Sequence, residues 1–316
     1  MSKLAVIAVG GNSLIKDDKN VSVEDQMVAL QETAHHIADM IEAGWDLAIG
    51  HGNGPQVGFI LRRSEIAAKA EGMHEVPLDV CGADSQGAIG YEFQQALQNE
   101  YHRRGLKKGA ATVITQMLVD QKDPAFQKPT KPIGSFMDEA EAQHRARDMG
   151  WSVVEDAGRG WRRVVPSPMP NKILELDSVK LLLNAGVTVI TVGGGGIPVI
   201  DKGNGEFEGT AAVIDKDFAS SLLAQEIGAE LFLIATAVEK VAINFGKPNQ
   251  QWLDKMTLAE AKAYLADGTH FAKGSMAPKI QAIIWFLENG GKQALITTPE
   301  NIGRALKGET GTWIVK

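Results

Sequence analysis

The stretch Leu4 to Leu14, LAVIAVGGNSL, restricts the fold more than any other. Leu4 to Val9 is an unbroken apolar run, which predicts a strand covered on both faces, as inside a parallel sheet. Gly10, Gly11 and Asn12 then interrupt it. Two glycines let the backbone turn sharply and let a ligand approach the amides with no Cβ in the way. In open α/β sheets, ligands bind just beyond the carboxyl ends of strands. The first turn is therefore a candidate anion cradle, with Gly10, Gly11 and Asn12 as candidate contacts.

The same grammar recurs along the chain. Ser22 to Ala43 reads as a helix, with Ser22 as cap, Asp25 in capping-box position and Gly44 as its stop. Met27, Leu30, Ala34, Ile37 and Ile41 form its apolar stripe. His35 and His36, being adjacent, face different sides and are read as surface or boundary residues. Trp45 to Ile49 is a second strand, followed by Gly52, Asn53, Gly54 and Pro55, where a further helix begins. Gly52, Gly54 and Gly58 miss the G-x-G-x-x-G spacing by one residue, so this is no dinucleotide fingerprint. Ala83 to Gln98 is expected as a helix and Ala111 to Leu118 as one strand.

Past Asp120 the character changes. Three prolines, a charged helical patch over Asp138 to Asp148, and a hairpin pattern around Gly158 mark residues 120–170 as an inserted, lid-like subdomain. The main pattern then resumes. A helix is expected over Ile173 to Leu183 and a strand over Val187 to Val192, followed by the glycine run Gly193 to Gly196. A short strand is expected at Ala211 to Ile214, ending in Asp215-Lys216-Asp217, with a helix over Phe218 to Ile227. Strands at Leu231 to Ala235 and Gln293 to Thr297 bracket helices at Leu258 to Leu265 and Pro278 to Leu287. Alternating strands and helices predict an α/β fold with a mostly parallel central sheet and helices on both faces.

Composition narrows the function classes. A net charge of -7 over 316 residues argues against a nucleic-acid surface. The single cysteine, Cys81, forbids an intrachain disulfide and fits a reducing, cytoplasmic setting. The first apolar run stops at Gly10, short of a secretory signal. Val187 to Ile200, the longest uncharged stretch, contains four glycines and a proline and is too short to span a bilayer. Neither nucleic acid nor membrane is expected as a partner.

Three glycine turns after three core strands suggest a site built from backbone N–H groups, which suit phosphate. No Walker motif occurs. Phosphoryl transfer is mostly positioning and charge stabilisation, so cations must arrive from elsewhere. Three lysines stand out: Lys131 between Pro129 and Pro132, Lys216 between Asp215 and Asp217, and Lys279 near the start of a helix. A cation is disfavoured at a helix N-terminus, which suggests an anion nearby. Asp215 is expected either to hold Lys216 and Lys279 in place or to help bind a metal. No direct protein ligand to a metal is singled out.

The chain resembles the carbamate kinases of the amino-acid kinase superfamily. The resemblance rests on Gly-Gly-Asn-Ser-Leu at 10–14, His-Gly-Asn-Gly-Pro-Gln-Val-Gly at 51–58 and Pro-Thr-Lys-Pro-Ile-Gly at 129–134. It continues through Arg-Arg-Val-Val-Pro-Ser-Pro at 162–168, Gly-Gly-Gly-Gly-Ile-Pro-Val at 193–199, Val-Ile-Asp-Lys-Asp at 213–217, Asn-Phe-Gly-Lys-Pro at 244–248 and Gly-Ser-Met-Ala-Pro-Lys at 274–279. It implies one domain over 1–316, an open αβα sandwich that forms a homodimer and transfers phosphate reversibly between ATP and carbamate, with Mg²⁺ accompanying the nucleotide. The acceptor would lie on the N-terminal half and ATP or ADP on residues 187–316.

By the same resemblance, Lys131, Lys216, Lys279 and Asp215 would be catalytic, with Asp215 orienting the lysines. Gly10, Gly11, Asn12, Gly52, Asn53 and Gly54 would contact phosphate or acceptor. Gly194, Gly195, Thr236, Ala237 and Lys279 would contact nucleotide. Ala8 stands where many superfamily members carry a lysine, and Lys216 would take over its part. Met137, Ala242, Ala277 and Thr236-Ala237 depart from the usual pattern. In catabolism the reaction would run toward ATP. Two alternatives accompany this reading: a kinase of the same fold acting on another small acid, and an inactive nucleotide-binding sensor. The sensor is expected to have lost a lysine or Asp215, and all are present.

Overall fold

The computed structural model describes residues 3–11, 14, 22–155, 158, 160–272 and 274–316. In chain order the first part gives β1 (Lys3–Val9), α1 (Val23–Glu42), β2 (Trp45–His51), α2 (Gly54–Glu71), α3 (Leu78–Arg103), β3 (Ala110–Thr112) and β4 (Gln116–Leu118). Then come β5 (Lys131–Met137), α4 (Glu139–Met149), β6 (Ser152–Glu155), β7 (Trp161–Val165), β8 (Lys172–Ile173) and α5 (Leu176–Asn184). Next are β9 (Thr188–Ile190), β10 (Ile197–Asp201), β11 (Phe207–Gly209), α6 (Lys216–Glu226), β12 (Leu231–Ala235), β13 (Val241–Ile243) and β14 (Gln251–Leu253). The last are β15 (Lys255–Thr257), α7 (Leu258–Asp267), α8 (Met276–Glu288), β16 (Gln293–Thr297), α9 (Ile302–Leu306) and β17 (Thr312–Val315).

β1 lies inside an eight-stranded sheet of order β15-β17-β16-β12-β1-β2-β9-β3. It pairs in parallel with β2 on one side and β12 on the other. Only the β16–β17 pairing is antiparallel among the described pairs of this sheet. The apolar run of β1 divides by alternation between two cores. Val6 and Ala8 join Phe232, Ile234, Leu223, Ile283 and Phe286, under α6 and α8. Ala5, Ile7 and Val9 join Leu30, Ile37, Phe93, Leu97 and Leu233, under α1 and α3. The result is the expected αβα sandwich. Helix α1 starts as predicted: Ser22 Oγ accepts from Asp25 N and Asp25 Oδ2 accepts from Ser22 N, each at 3.1 Å. A cap of this kind is worth about 1 kcal/mol.

Three local expectations are corrected. Ala111 to Leu118 is not one strand. β3 belongs to the central sheet and β4 to a second sheet, β11-β10-β4-β8. The break is held by Gln86, whose side chain accepts from Thr115 N at 2.8 Å and donates to Thr115 O at 3.1 Å. Ile173 is a strand residue, and α5 starts three residues later. Ala211 to Ile214 pairs in no ladder; Ala212 N donates to Thr210 O and Val213 N to Pro166 O. Lys216 therefore opens α6 rather than ending a strand. Lys131 stands on β5, the first strand of an antiparallel sheet β5-β7-β6.

Candidate active site

β1, β2 and β12 end at one edge, with Val9 level with both His51 and Ala235. Each chain then runs one residue further while still bonded to its neighbour. Gly10 N donates to Ala235 O at 2.9 Å, Gly52 N to Val9 O at 3.0 Å, and Thr236 N to Thr297 O at 2.9 Å. Gly195 N likewise donates to Val192 O at 3.0 Å. A cradle of free amides is therefore not what Gly10, Gly52 and Gly195 provide. Their value is close approach: a Cβ on Gly194 would collide with the Asn53 amide, and one on Gly195 with Ile214. Gly11 and Gly54 differ, because space opens around the position a Cβ would take. Gly54 begins α2, whose N-terminus Asn53 leaves without a side-chain cap. Unbonded N–H groups there favour an anion. Asn12 lies outside the described residues.

The three lysines converge. Lys216 is the first residue of α6 and Lys279 the fourth of α8, and both reach one carboxylate. Lys216 Nζ donates to Asp217 Oδ1 at 2.8 Å, and Lys279 Nζ to Asp217 Oδ2 at 2.9 Å. Lys131 Nζ comes from β5 and donates to Asp215 Oδ2 at 2.6 Å. The carboxylate that holds Lys216 and Lys279 is thus Asp217, not Asp215. Asp215 caps α6 by accepting from Asp217 N at 2.9 Å, and its other oxygen anchors Lys131. The stem of Lys216 also lies against Gly52, where a Cβ would come within 3.3 Å of its Cδ.

Burial opposes every charge in this cluster, and the pairings decide the outcome. Burial would raise the Asp215 and Asp217 carboxyls, but the adjacent ammonium groups outweigh it and hold both below the usual range. Burial would lower Lys216, yet Asp217 and Asp215 hold it above the ordinary lysine value. Lys279 goes the other way. Burial and the charge of Lys216 depress it, with Asp217 opposing. Three ammonium groups against two carboxylates leave one positive charge uncompensated, which suits a transferring phosphoryl group. His51, 1% exposed at the end of β2, is pushed down to about 4 by burial, so it is neutral near pH 7. Cys81 is buried, and its thiol is pushed up to about 11.

The start of α8, at Ser275 and Met276, borders a hollow of about 110 Å³. Ala242, Phe245, Trp252 and Phe271 line it. The Phe245 and Trp252 rings, 6.4 Å apart, are half or more exposed. Thr236 is half-buried and Ala237 exposed at the end of β12. Sequence reasoning missed Asp217, the Phe245–Trp252 pair, and the α3 residues Ser85 and Gln86. Ser85 accepts from Asn53 Nδ2 at 2.8 Å, and Gln86 Nε2 donates to Gly193 O at 2.9 Å. Polar residues on the buried face of a predicted helix were the available signal. Among the described residues, no group of three or more His, Cys, Asp and Glu side chains stands together to hold a metal. No helix among them is long and apolar enough to cross a membrane.

Comparison with known proteins places this geometry. The profile described as the Amino acid kinase family matches residues 3–298. A carbamate kinase-like protein of Escherichia coli, YahI, is 50% identical over the whole of both chains. A carbamate kinase of Thermococcus kodakarensis is 48% identical over 99% of each. Among solved structures, a carbamate kinase from Giardia lamblia bound to AMP-PNP superposes with a TM-score of 0.91 at 42% identity, over 100% of this chain and 99% of that one.

Proposed function

The chain belongs to the amino acid kinase family, and from that premise we infer that it is a carbamate kinase. It transfers a phosphoryl group between MgATP and carbamate, giving ADP and carbamoyl phosphate. One observation carries the reading most: a single carboxylate, Asp217, holds Lys216 and Lys279 side by side at the edge where three core strands end. In this reaction a carboxylate oxygen of carbamate attacks the γ-phosphorus while the bond to the ADP oxygen breaks. The attacking oxygen is already anionic, so no general base is needed, and neutral His51 is not asked to act as one. What the transition state needs is positive charge around the three equatorial oxygens. Lys216 and Lys279 supply it, with Asp217 fixing their positions in advance. Lys131 reaches in from the 120–170 segment, which serves as a lid over the acceptor side. Asp215 sets its direction.

Gly10, Gly11, Asn12, Gly52, Asn53 and Gly54 border the phosphoryl path and acceptor. Gly194, Gly195, Thr236 and Ala237, with the aromatic hollow, form the nucleotide side within 187–316. The Phe245–Trp252 pair gives a purine two aromatic faces, which suits the small Ala242 beside them. Magnesium enters as part of the nucleotide, since both aspartates of the cluster are engaged by lysines. Exposed apolar side chains on α1 (Val23, Val28) and α3 (Tyr91) support assembly as a homodimer. A cytoplasmic setting fits the free, buried thiol. Because carbamoyl phosphate is a mixed anhydride of high transfer potential, the reaction in catabolism runs toward ATP.

A second reading is a kinase of the same fold with another small acid as acceptor. The lid discriminates between them, because it would cap a small acceptor and obstruct a long one. One assay separates the two. Purified protein is given carbamoyl phosphate and MgADP, and ATP is read through a coupled luciferase reaction. Steady ATP formation, lowered at least ~100-fold in Lys216→Ala, supports the first reading. No ATP, with turnover on a different acyl phosphate, supports the second.

A further inference from the structure

Asn53 stands between the glycine turns, 5% exposed, with its side-chain amide lying against Gly194. Its orientation is fixed by Ser85, which is fully buried on α3. Ser85 Oγ donates its one proton to Gly82 O at 2.7 Å. A carbonyl has no proton to give, so the direction of that bond is certain. Toward Asn53, Ser85 Oγ then has only lone pairs to offer. The group at 2.8 Å from it must be Asn53 Nδ2 and not Oδ1. The reverse amide setting would put two acceptors face to face in a sealed place and lose a hydrogen bond.

The consequence lies on the other arm of the amide. Asn53 Oδ1 accepts no hydrogen bond among the described residues, and it is not one of the buried atoms left sealed and unpaired, as Gln56 Oε1 and Glu65 Oε2 are. Oδ1 therefore keeps some exposure at its place between the glycine turns. A carbonyl oxygen repels phosphate and carboxylate oxygens alike, so its partner is a hydrogen-bond donor. Among the groups that the substrate itself brings to the acceptor end, the donor is the amino group of the carbamoyl unit.

We propose that Asn53 Oδ1, held outward by Ser85, accepts a hydrogen bond from the amino group of carbamate or carbamoyl phosphate and so selects against acyl groups that lack a donor there. Ser85 is a positioning residue: it acts only through the setting of the Asn53 amide. A site built around a hydrogen bond to its substrate rejects the analogue lacking that donor strongly, because its own polar group is then left unpaired. Acetyl phosphate is that analogue, with a methyl group in place of the amino group and the same phosphoryl chemistry. The inference rests on the carbamate kinase reading.

The test measures kcat/KM for ADP phosphorylation by carbamoyl phosphate and by acetyl phosphate in wild type, Ser85→Ala and Asn53→Ala. The wild type is expected to favour carbamoyl phosphate. Both substitutions are expected to cut that preference at least tenfold, chiefly by raising KM for carbamoyl phosphate. A merely structural role would lower both substrates by the same factor, and that result overturns the proposal. Asn53→Ala reads the same ratio should Ser85→Ala fail to fold. A wild type that makes no ATP from carbamoyl phosphate overturns the kinase reading and the proposal together. A wild type that makes ATP, with its preference intact in both variants, overturns the proposal alone.

Discussion

Asp217 is 3% exposed and carries two ammonium groups, one on each oxygen. Replacing it by Asn keeps the shape but removes the charge both lysines lean on. Breaking a buried pairing from one side costs about 3–5 kcal/mol, because the charges left behind have no counterpart. Asp217→Asn should therefore lower stability and reduce kcat at least ~100-fold. It should also move the pH profile. Lys279 is already depressed by burial and by Lys216, and Asp217 is what opposes that. Without it, Lys279 loses its proton at lower pH, so the alkaline limb of kcat should shift downward. Turnover measured between pH 6 and 10 checks this, and an unmoved limb would show that Lys279 does not need its charge. The stability side has the opposite sign. The folded Asp217 pKa is depressed, so its contribution is full above the unfolded value and disappears as pH falls through the folded one. The triad Asp215-Lys216-Asp217 drew attention in the sequence, but spacing could not say which aspartate served which lysine. Asp215 is the cap of α6. Once a cap is assigned, Asp217 falls inside the first turn and faces α8.

Among the contacts between the lid sheet and the sandwich, the one between α2 and β5 is especially tight. A Cβ on Gly58 of α2 would collide with the backbone of Gly134 on β5, at Cα and N. Gly134 has φ +72, so neither glycine is free to change. Gly58→Ala should wedge β5 away from α2 and carry Lys131 with it, off Asp215. Overpacking of this kind costs about 1–3 kcal/mol. The expected readout is a modest fall in melting temperature with a disproportionate loss of kcat, at least ~10-fold. A stability loss with kcat unchanged would mean that Lys131 has no part in the chemistry. Here the chain was only partly legible. β1, β12 and β16 were plain from continuous apolar runs, because strands buried on both faces leave little ambiguity. β5 was not, since Pro132 and two small residues hide a strand whose register slips between Ile133 and Met137. The split of β3 from β4 was hidden as well. It depends on Gln86, 29 residues distant in sequence.

Over the whole molecule, the same edge that gathers the lysines also carries a liability in acid. His51 ends a central strand, is 1% exposed, and packs where a Cβ on Gly193 would strike its ring. Burial lowers its pKa to about 4, and the hydrogen bond between Nδ1 and Gly52 O only partly opposes this. In the unfolded chain the ring titrates near 6.5. Between these values the unfolded state binds the extra proton and the folded state does not. Stability must then fall as pH drops from about 6.5 toward 4, by an amount approaching roughly 3 kcal/mol from this residue alone. Because β2 pairs with both β1 and β9, the loss belongs to the central sheet and should appear in global unfolding. Urea midpoints for wild type and His51→Gln at pH 7 and pH 4.5 isolate it, since the carboxylates titrate alike in both. The variant should begin less stable at pH 7, where the neutral ring packs well, and should lose less on acidification. Equal losses in the two proteins would mean that the His51 ring takes up its proton without unfolding the sheet.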